Sequence, residues 1–262
     1  MAREVTYSSY LDLDKILSAQ HPTSGAHDEM LFIIVHQASE LWLKLCLHEL
    51  KAARDEIVAD DLRPAFKMLA RVARAQGQLI SSWEVLSTMT PADYSQVRPH
   101  LANSSGFQSP QYRMMEFLMG GRNPKMVTMH EATPEVAAEL RAELARPSLY
   151  DEAVRLLARR GFAIPAEVLE RDLVGEWTPS PAVEAAWAAI YRDPEAHWDL
   201  YELAEKLVDL EYHFQRWRFG HLKTVERIIG FKTGTGGTPG VPYLAGVLKQ
   251  AFFPELLSVR TA

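Results

Sequence analysis

Residues 28–58, DEMLFIIVHQASELWLKLCLHELKAARDEIV, decide the fold class. The stretch has no Gly or Pro and opens on Asp28 and Glu29, which suit the positive end of a helix dipole. Its apolar residues recur at three and four rather than at two, which predicts one helix from about Asp28 to Val58. The first half is apolar nearly all round, so that half is expected to be deeply buried.

A second stretch toward the C-terminus has the same character. Between about Asp199 and Ile229, residues Leu200, Leu203, Leu207, Leu210, Phe214, Trp217, His221, Val225 and Ile228 form one stripe at helical spacing, with His221 on the core-facing side. Gly230 can end this helix, and FKTGTGGTPGVPYL (231–244) follows as the one glycine-rich loop of the sequence. Thr90-Pro91, Ser109-Pro110, Thr133-Pro134 and Ser180-Pro181 each put a hydroxyl N-cap before a proline at the first helical position. No stretch reads as a strand. The expectation is an all-α bundle with long core helices, a single domain over residues 1–262, since no repeat or low-complexity linker divides it. Residues 131–175, rich in Ala, Arg, Glu and Leu, read as surface helices without identifiable chemistry.

Composition excludes several function classes. With 47% hydrophobic residues the chain can fill a continuous core, and a net charge of -6 without a basic stripe argues against a nucleic-acid partner. Cys46 is the lone cysteine, so an intrachain disulfide, a Cys-rich zinc site and covalent haem attachment through C-x-x-C-H are ruled out, and a reducing cytoplasmic location is expected. The N-terminal sequence has no signal-peptide pattern and no run of about 18 apolar residues occurs, so neither secretion nor a membrane span is expected.

Two histidines stand on the two most apolar helices: His36 with Phe32 one turn before it, and His221 with Trp217 one turn before it. A histidine in such a place is ordinarily a hydrogen-bonded core residue. Two of them on separate long helices are also how a helical bundle presents an axial ligand and a distal polar group to a flat cofactor, which suggests haem. Competing patterns fail on spacing. The glycine loop follows a helix where a dinucleotide fingerprint must follow a strand, and no P-loop is present. None of the 9 histidines has a glutamate three residues before it, as a carboxylate-bridged di-iron bundle requires. His27-Asp28-Glu29 offers a short H-x-E pair, better read as an acidic helix start. Tyr94 and Arg98 stand one helical turn apart, able to grip a carboxylate from one face.

Longer blocks carry a family resemblance. HDEMLFIIVHQASELWLKL (27–45), NSSGFQSPQYRMMEF (103–117), RFGHLKTVERIIGFKTGTGGTPGVPYL (218–244) and FFPELLSVRT (252–261) resemble, in content and order, the tryptophan 2,3-dioxygenase family. The resemblance runs from about Thr6 to Thr261 and is weakest between Glu131 and Asp199. It implies a cytoplasmic homotetramer of all-α subunits, each with one non-covalent haem b. The implied reaction opens the indole ring of L-tryptophan with O₂ to give N-formyl-L-kynurenine, the first step of tryptophan catabolism. His221 matches the proximal iron ligand and His36 the distal histidine, which accepts a hydrogen bond from the indole N–H. Phe32 would pack on the indole, Arg98 and Tyr94 match the carboxylate-binding pair, and Thr235 matches the group near the substrate ammonium and a haem propionate. Tyr7 and Tyr10, within the N-terminal segment of about residues 1–20, match tyrosines that reach into a neighbouring subunit's site. Two departures stand out: Gly220 precedes His221 where relatives often carry Arg, and Thr238-Pro239 stands where Ser-Ser is usual. Two rival readings are a haem dioxygenase of broader indoleamine specificity and a helical haem sensor or scaffold without turnover. The first is separated by turnover of D-tryptophan and tryptamine, the second by the absence of any product.

Overall fold

The computed structural model describes residues 5–237 and 239–261. Its helices are α1 (Tyr7–Leu11), α2 (Leu13–Leu17), α3 (Glu29–Val58), α4 (Leu62–Leu86), α5 (Pro91–Val97), α6 (Pro110–Met119), α7 (Pro134–Leu144), α8 (Leu149–Arg159), α9 (Ala166–Leu169), α10 (Pro181–Arg192), α11 (Trp198–Ile229), α12 (Val241–Val247) and α13 (Pro254–Ser258). Among the described residues there is no strand, so the chain is all-α as its periodicity predicts. Both long helices lie where the apolar stripes put them.

A tight turn joins α3 to α4, with Asp60 at φ 60°, and makes the two helices antiparallel neighbours. Arg160, at the end of α8, clamps this turn through Asp60 (2.7–3.0 Å) and reaches Asp199 at the start of α11 (3.0 Å). At this end the bundle is tied together. The packed stripe of α3 is Leu43, Cys46, Leu50, Ala53 and Ile57, set against Leu62, Ala65, Leu69, Val72 and Leu79 of α4. On the far side α4 packs against α11 through the Leu200–Phe214 stripe, while α3 and α11 make little direct contact. That separation leaves room between α3 and α11 for a cavity.

Two sequence expectations are corrected. The first half of α3 is not deeply buried: Met30, Ile34, Leu41 and Trp42 are 40%, 48%, 55% and 36% exposed. Apolarity all round a helix leads to burial only where something covers each side, and within one chain α4, α6 and α8 cover one side of α3. α3 is long and apolar enough to cross a membrane by length and composition alone. In this fold its packed stripe is the bundle core. The region 131–175 is not all surface either, because α8 buries Leu149, Tyr150, Ala153, Val154, Leu156 and Leu157 in the main core. The acids that made it read as surface are paired: Asp151 accepts from Ser148 (2.6 Å) and Arg171 (2.8 Å), and Glu152 from Arg155 (2.9 Å).

All four hydroxyl-proline pairs do start helices. Thr90 and Ser109 cap with their side chains, accepting from Asp93 N (3.3 Å) and Tyr112 N (3.1 Å), whereas Thr133 and Ser180 do not. Instead, Ser180 N donates to Glu255 of α13 (2.8 Å), which also accepts from Tyr150 Oη (2.9 Å) and Trp177 Nε1 (2.9 Å). Glu255→Ala strands three donors at once, Tyr150 Oη buried and the other two half-buried, and should destabilise the fold by about 3–5 kcal/mol, read as a lowered urea midpoint at unchanged slope.

Candidate active site

The space between α3 and α11 is a cavity of about 220 Å³, against roughly 10–15 Å³ for a single water. One wall is the face of α3 carrying Phe32, Val35, His36, Ser39 and Leu43; the other is the face of α11 carrying Trp217, His221, Thr224, Val225 and Ile228. Trp83, Leu86 and Met89 of α4 and its exit close one side, and Tyr94, Phe107, Tyr112, Thr235 and Tyr243 contribute to the rest. Five of the residues singled out from sequence, Phe32, His36, Tyr94, His221 and Thr235, therefore line one space.

The two histidines differ in how they are held. His36 Nδ1 is 2.7 Å from the Phe32 carbonyl one turn earlier; Nδ1–H is thus the donor and Nε2 is left as an acceptor. Burial lowers the His36 pKa, opposed by that carbonyl and by the charge of Glu40, and the Phe32 ring lies against the imidazole with centroids 4.2 Å apart. Burial, with a smaller contribution from His36, pushes His221 down to about 4. Both rings are neutral near pH 7. Among the described residues no group of three or more His, Cys, Asp or Glu converges to cage a metal. An iron held here must therefore bring most of its ligands with it, as in a porphyrin with one axial imidazole.

Polar groups gather at the mouth. Tyr94 lies on α5, and Arg98, in the 3₁₀ turn that follows, donates through Nη2 to the Thr233 carbonyl (2.7 Å) without lining the cavity itself. Burial raises the Tyr94 pKa against the pull of the Arg98 charge, so phenol and guanidinium share one neighbourhood. Arg98 thereby ties the glycine loop to the cavity mouth. Across the loop Gly236 sits on Ser105, where a Cβ would come within 2.8 Å of Ser105 Oγ, so only glycine lets the two segments meet. Of the two loop departures, Thr238 lies outside the described residues.

Sequence reasoning missed part of the lining. Ser105, Phe107 and Tyr112 lie inside the 103–117 block that carries the resemblance, and that block was the available signal for them. Arg218, also in the lining, opens the 218–244 block, but nothing local shows that it meets Glu116: Arg218 Nη2 donates to Glu116 (2.6 Å), Tyr112 Oη donates to the same carboxylate (2.8 Å), and Arg113 completes the pairing. In the opposite sense, Tyr7 and Tyr10 are 77% and 78% exposed and line no part of this cavity.

Comparison with known proteins decides the family. The family model described as Tryptophan 2,3-dioxygenase matches residues 1–262. This chain belongs to the tryptophan 2,3-dioxygenase family. It is 83% identical over 262 residues to the tryptophan 2,3-dioxygenase of Erythrobacter litoralis, covering 100% of both chains. A tryptophan 2,3-dioxygenase of Bradyrhizobium sp. is 60% identical over 257 residues, covering 98% of this chain and 92% of the relative. Tryptophan 2,3-dioxygenase 1 of Ralstonia nicotianae is 58% identical over 260 residues, 99% of this chain and 88% of that one. A member of the tryptophan 2,3-dioxygenase family is thus an all-α chain with two histidines facing one cavity.

Proposed function

We propose that this chain is a haem-dependent dioxygenase that cleaves the indole C2–C3 bond of L-tryptophan. One oxygen atom of O₂ goes to each carbon, so N-formyl-L-kynurenine balances the reaction without a further reductant. The observation that carries the reading is the pair of neutral histidines, His36 and His221, facing one mainly apolar cavity in a chain of this family. Haem b, one per subunit and non-covalent, is the cofactor this donor set suits, and His221 is the residue that would hold its iron. When bound, haem supplies the activation of O₂, and the protein binds, orients and excludes water.

His36 Nε2, left free by the Nδ1 bond to Phe32, accepts the indole N–H and sets the ring's orientation. Phe32 packs on the indole face. Arg98 and Tyr94 take the substrate carboxylate, and Thr235 takes the ammonium, where a propionate of the bound haem would add a second negative partner. Recognition of both charges makes the site selective for the free amino acid. Tryptamine, which lacks the carboxylate, should fall by about 30-fold or more in kcat/KM relative to L-tryptophan, the scale of one unpaired charge. Comparable turnover of L-tryptophan, D-tryptophan and tryptamine would point instead to a broad indoleamine dioxygenase.

The working unit is a cytoplasmic homotetramer. Its support is the apolar side of α3 left open in one chain, together with Tyr7, Tyr10 and Leu17 exposed in the N-terminal helices. The N-terminal segment meets α3 at Gln37, whose Nε2 donates to the Ala19 carbonyl (2.9 Å), and Tyr7 and Tyr10 complete the site of a neighbouring copy.

A further inference from the structure

We infer that Trp83 is the positioning residue of the His221 imidazole, and that Gly220 is the position that lets it approach. This rests on the haem reading above. The Trp83 indole lies flat on the His221 ring, with centroids 4.7 Å apart and planes 5° from parallel. Trp217 packs on both, 5.4 Å from Trp83 and 5.8 Å from His221. The proximal ring is therefore held in an aromatic stack.

A hydrogen bond does not do this work among the described residues. His36 is fixed by the Phe32 carbonyl (2.7 Å) and His213 by the Asp209 carbonyl (2.7 Å), each one turn back on its own helix. His221 has no such bond to any described residue, and what lies against its ring is the Trp83 indole. Metal-ligating histidines usually gain their orientation from a partner on the second nitrogen. At this site a stacked face takes that place, with the N–H edge of Trp83 buried and unpaired among the described residues.

Gly220 explains how the indole gets close enough. It lies inside α11, where glycine costs about 1 kcal/mol relative to alanine. A Cβ there would lie 2.7 Å from Trp83 Cδ1 and 3.3 Å from Cγ, too close for any side chain unless the indole moved off the imidazole. The departure noted beside His221 is thus matched to Trp83. Trp83, with Thr224, also lines both the cavity and an outer groove formed by Phe219, Gly220 and Lys223, so moving the indole disturbs the wall between them.

The test uses the haem-loaded, ferrous full-length protein and reads the iron–imidazole stretching band by resonance Raman, together with haem transfer to apomyoglobin. Trp83→Leu, which removes the stack, should shift and broaden the band and speed haem loss by about 10-fold, the usual scale for a supporting residue, with the KM for L-tryptophan little changed. Gly220→Ala should act in the same direction by pushing the indole away, and Trp83→Phe, which still stacks, should keep the parent's band. A band and loss rate unchanged in Trp83→Leu, or in Gly220→Ala should the leucine variant not fold, overturn the inference. So does Trp83→Phe behaving like Trp83→Leu. A parent that shows no histidine-ligated haem overturns the haem reading itself, and the inference with it.

Discussion

His221→Ala protein folds but takes up no haem under conditions that load the parent, and its tryptophan turnover falls to background. The loss is expected to be near complete because α11 presents one imidazole to the cavity and its other lining residues there, Trp217, Arg218, Thr224, Val225, Ile228 and Ile229, offer no iron ligand of comparable strength. Folding should survive, since His221 makes no hydrogen bond to a described residue and its neighbours Leu222, Phe214 and Ile228 keep their packing. Added imidazole should restore part of the haem uptake by filling the space the side chain leaves. A fully loaded His221→Ala protein with the parent's absorption spectrum would refute the proximal role.

Arg98→Ala should behave in the opposite way: haem content stays near the parent's while the KM for L-tryptophan rises by roughly 30- to 1000-fold, the equivalent of about 2–4 kcal/mol. Arg98 lies outside the cavity lining, so haem uptake does not depend on it, but its guanidinium is the cation placed beside Tyr94 at the mouth. In the ligand-free chain it donates to the Thr233 carbonyl (2.7 Å), a contact a substrate carboxylate can share or replace. Arg98→Lys should recover little, because a point charge does not reproduce a two-pronged fork. Steady-state kinetics and a haem assay on the same preparation check this, and an unchanged KM removes Arg98 from the substrate set.

Much of the fold was legible because its two long helices carry their own signals. The start at Asp28–Glu29, the unbroken run to Val58 and the second stretch read from Asp199 to Ile229 each come within a residue of the observed bounds, Glu29–Val58 and Trp198–Ile229. What escaped depends on the partner across the gap. Nothing local in PEVAAELRAELA or in the acids of α8 tells a helix end on the surface from one whose carboxylates meet Arg171 and Arg155 in the interior. The apolar far side of α3 reads as core whether its cover comes from the same chain or from another. In the site, Phe32 and His36 are a local pair on one helix and were visible as such. Trp83 meets His221 only because α4 packs beside α11, and Gly220, a mere irregularity in the sequence, acquires its reason from that indole.

The most direct test of the central claim is a single-turnover reaction of the haem-reconstituted, reduced protein with L-tryptophan and ¹⁸O₂, followed by mass analysis of the product. Cleavage of the indole C2–C3 bond at this cavity predicts N-formyl-L-kynurenine carrying both heavy oxygen atoms. Haem uptake without that product, or product labelled with a single heavy oxygen before any exchange with water, would contradict it.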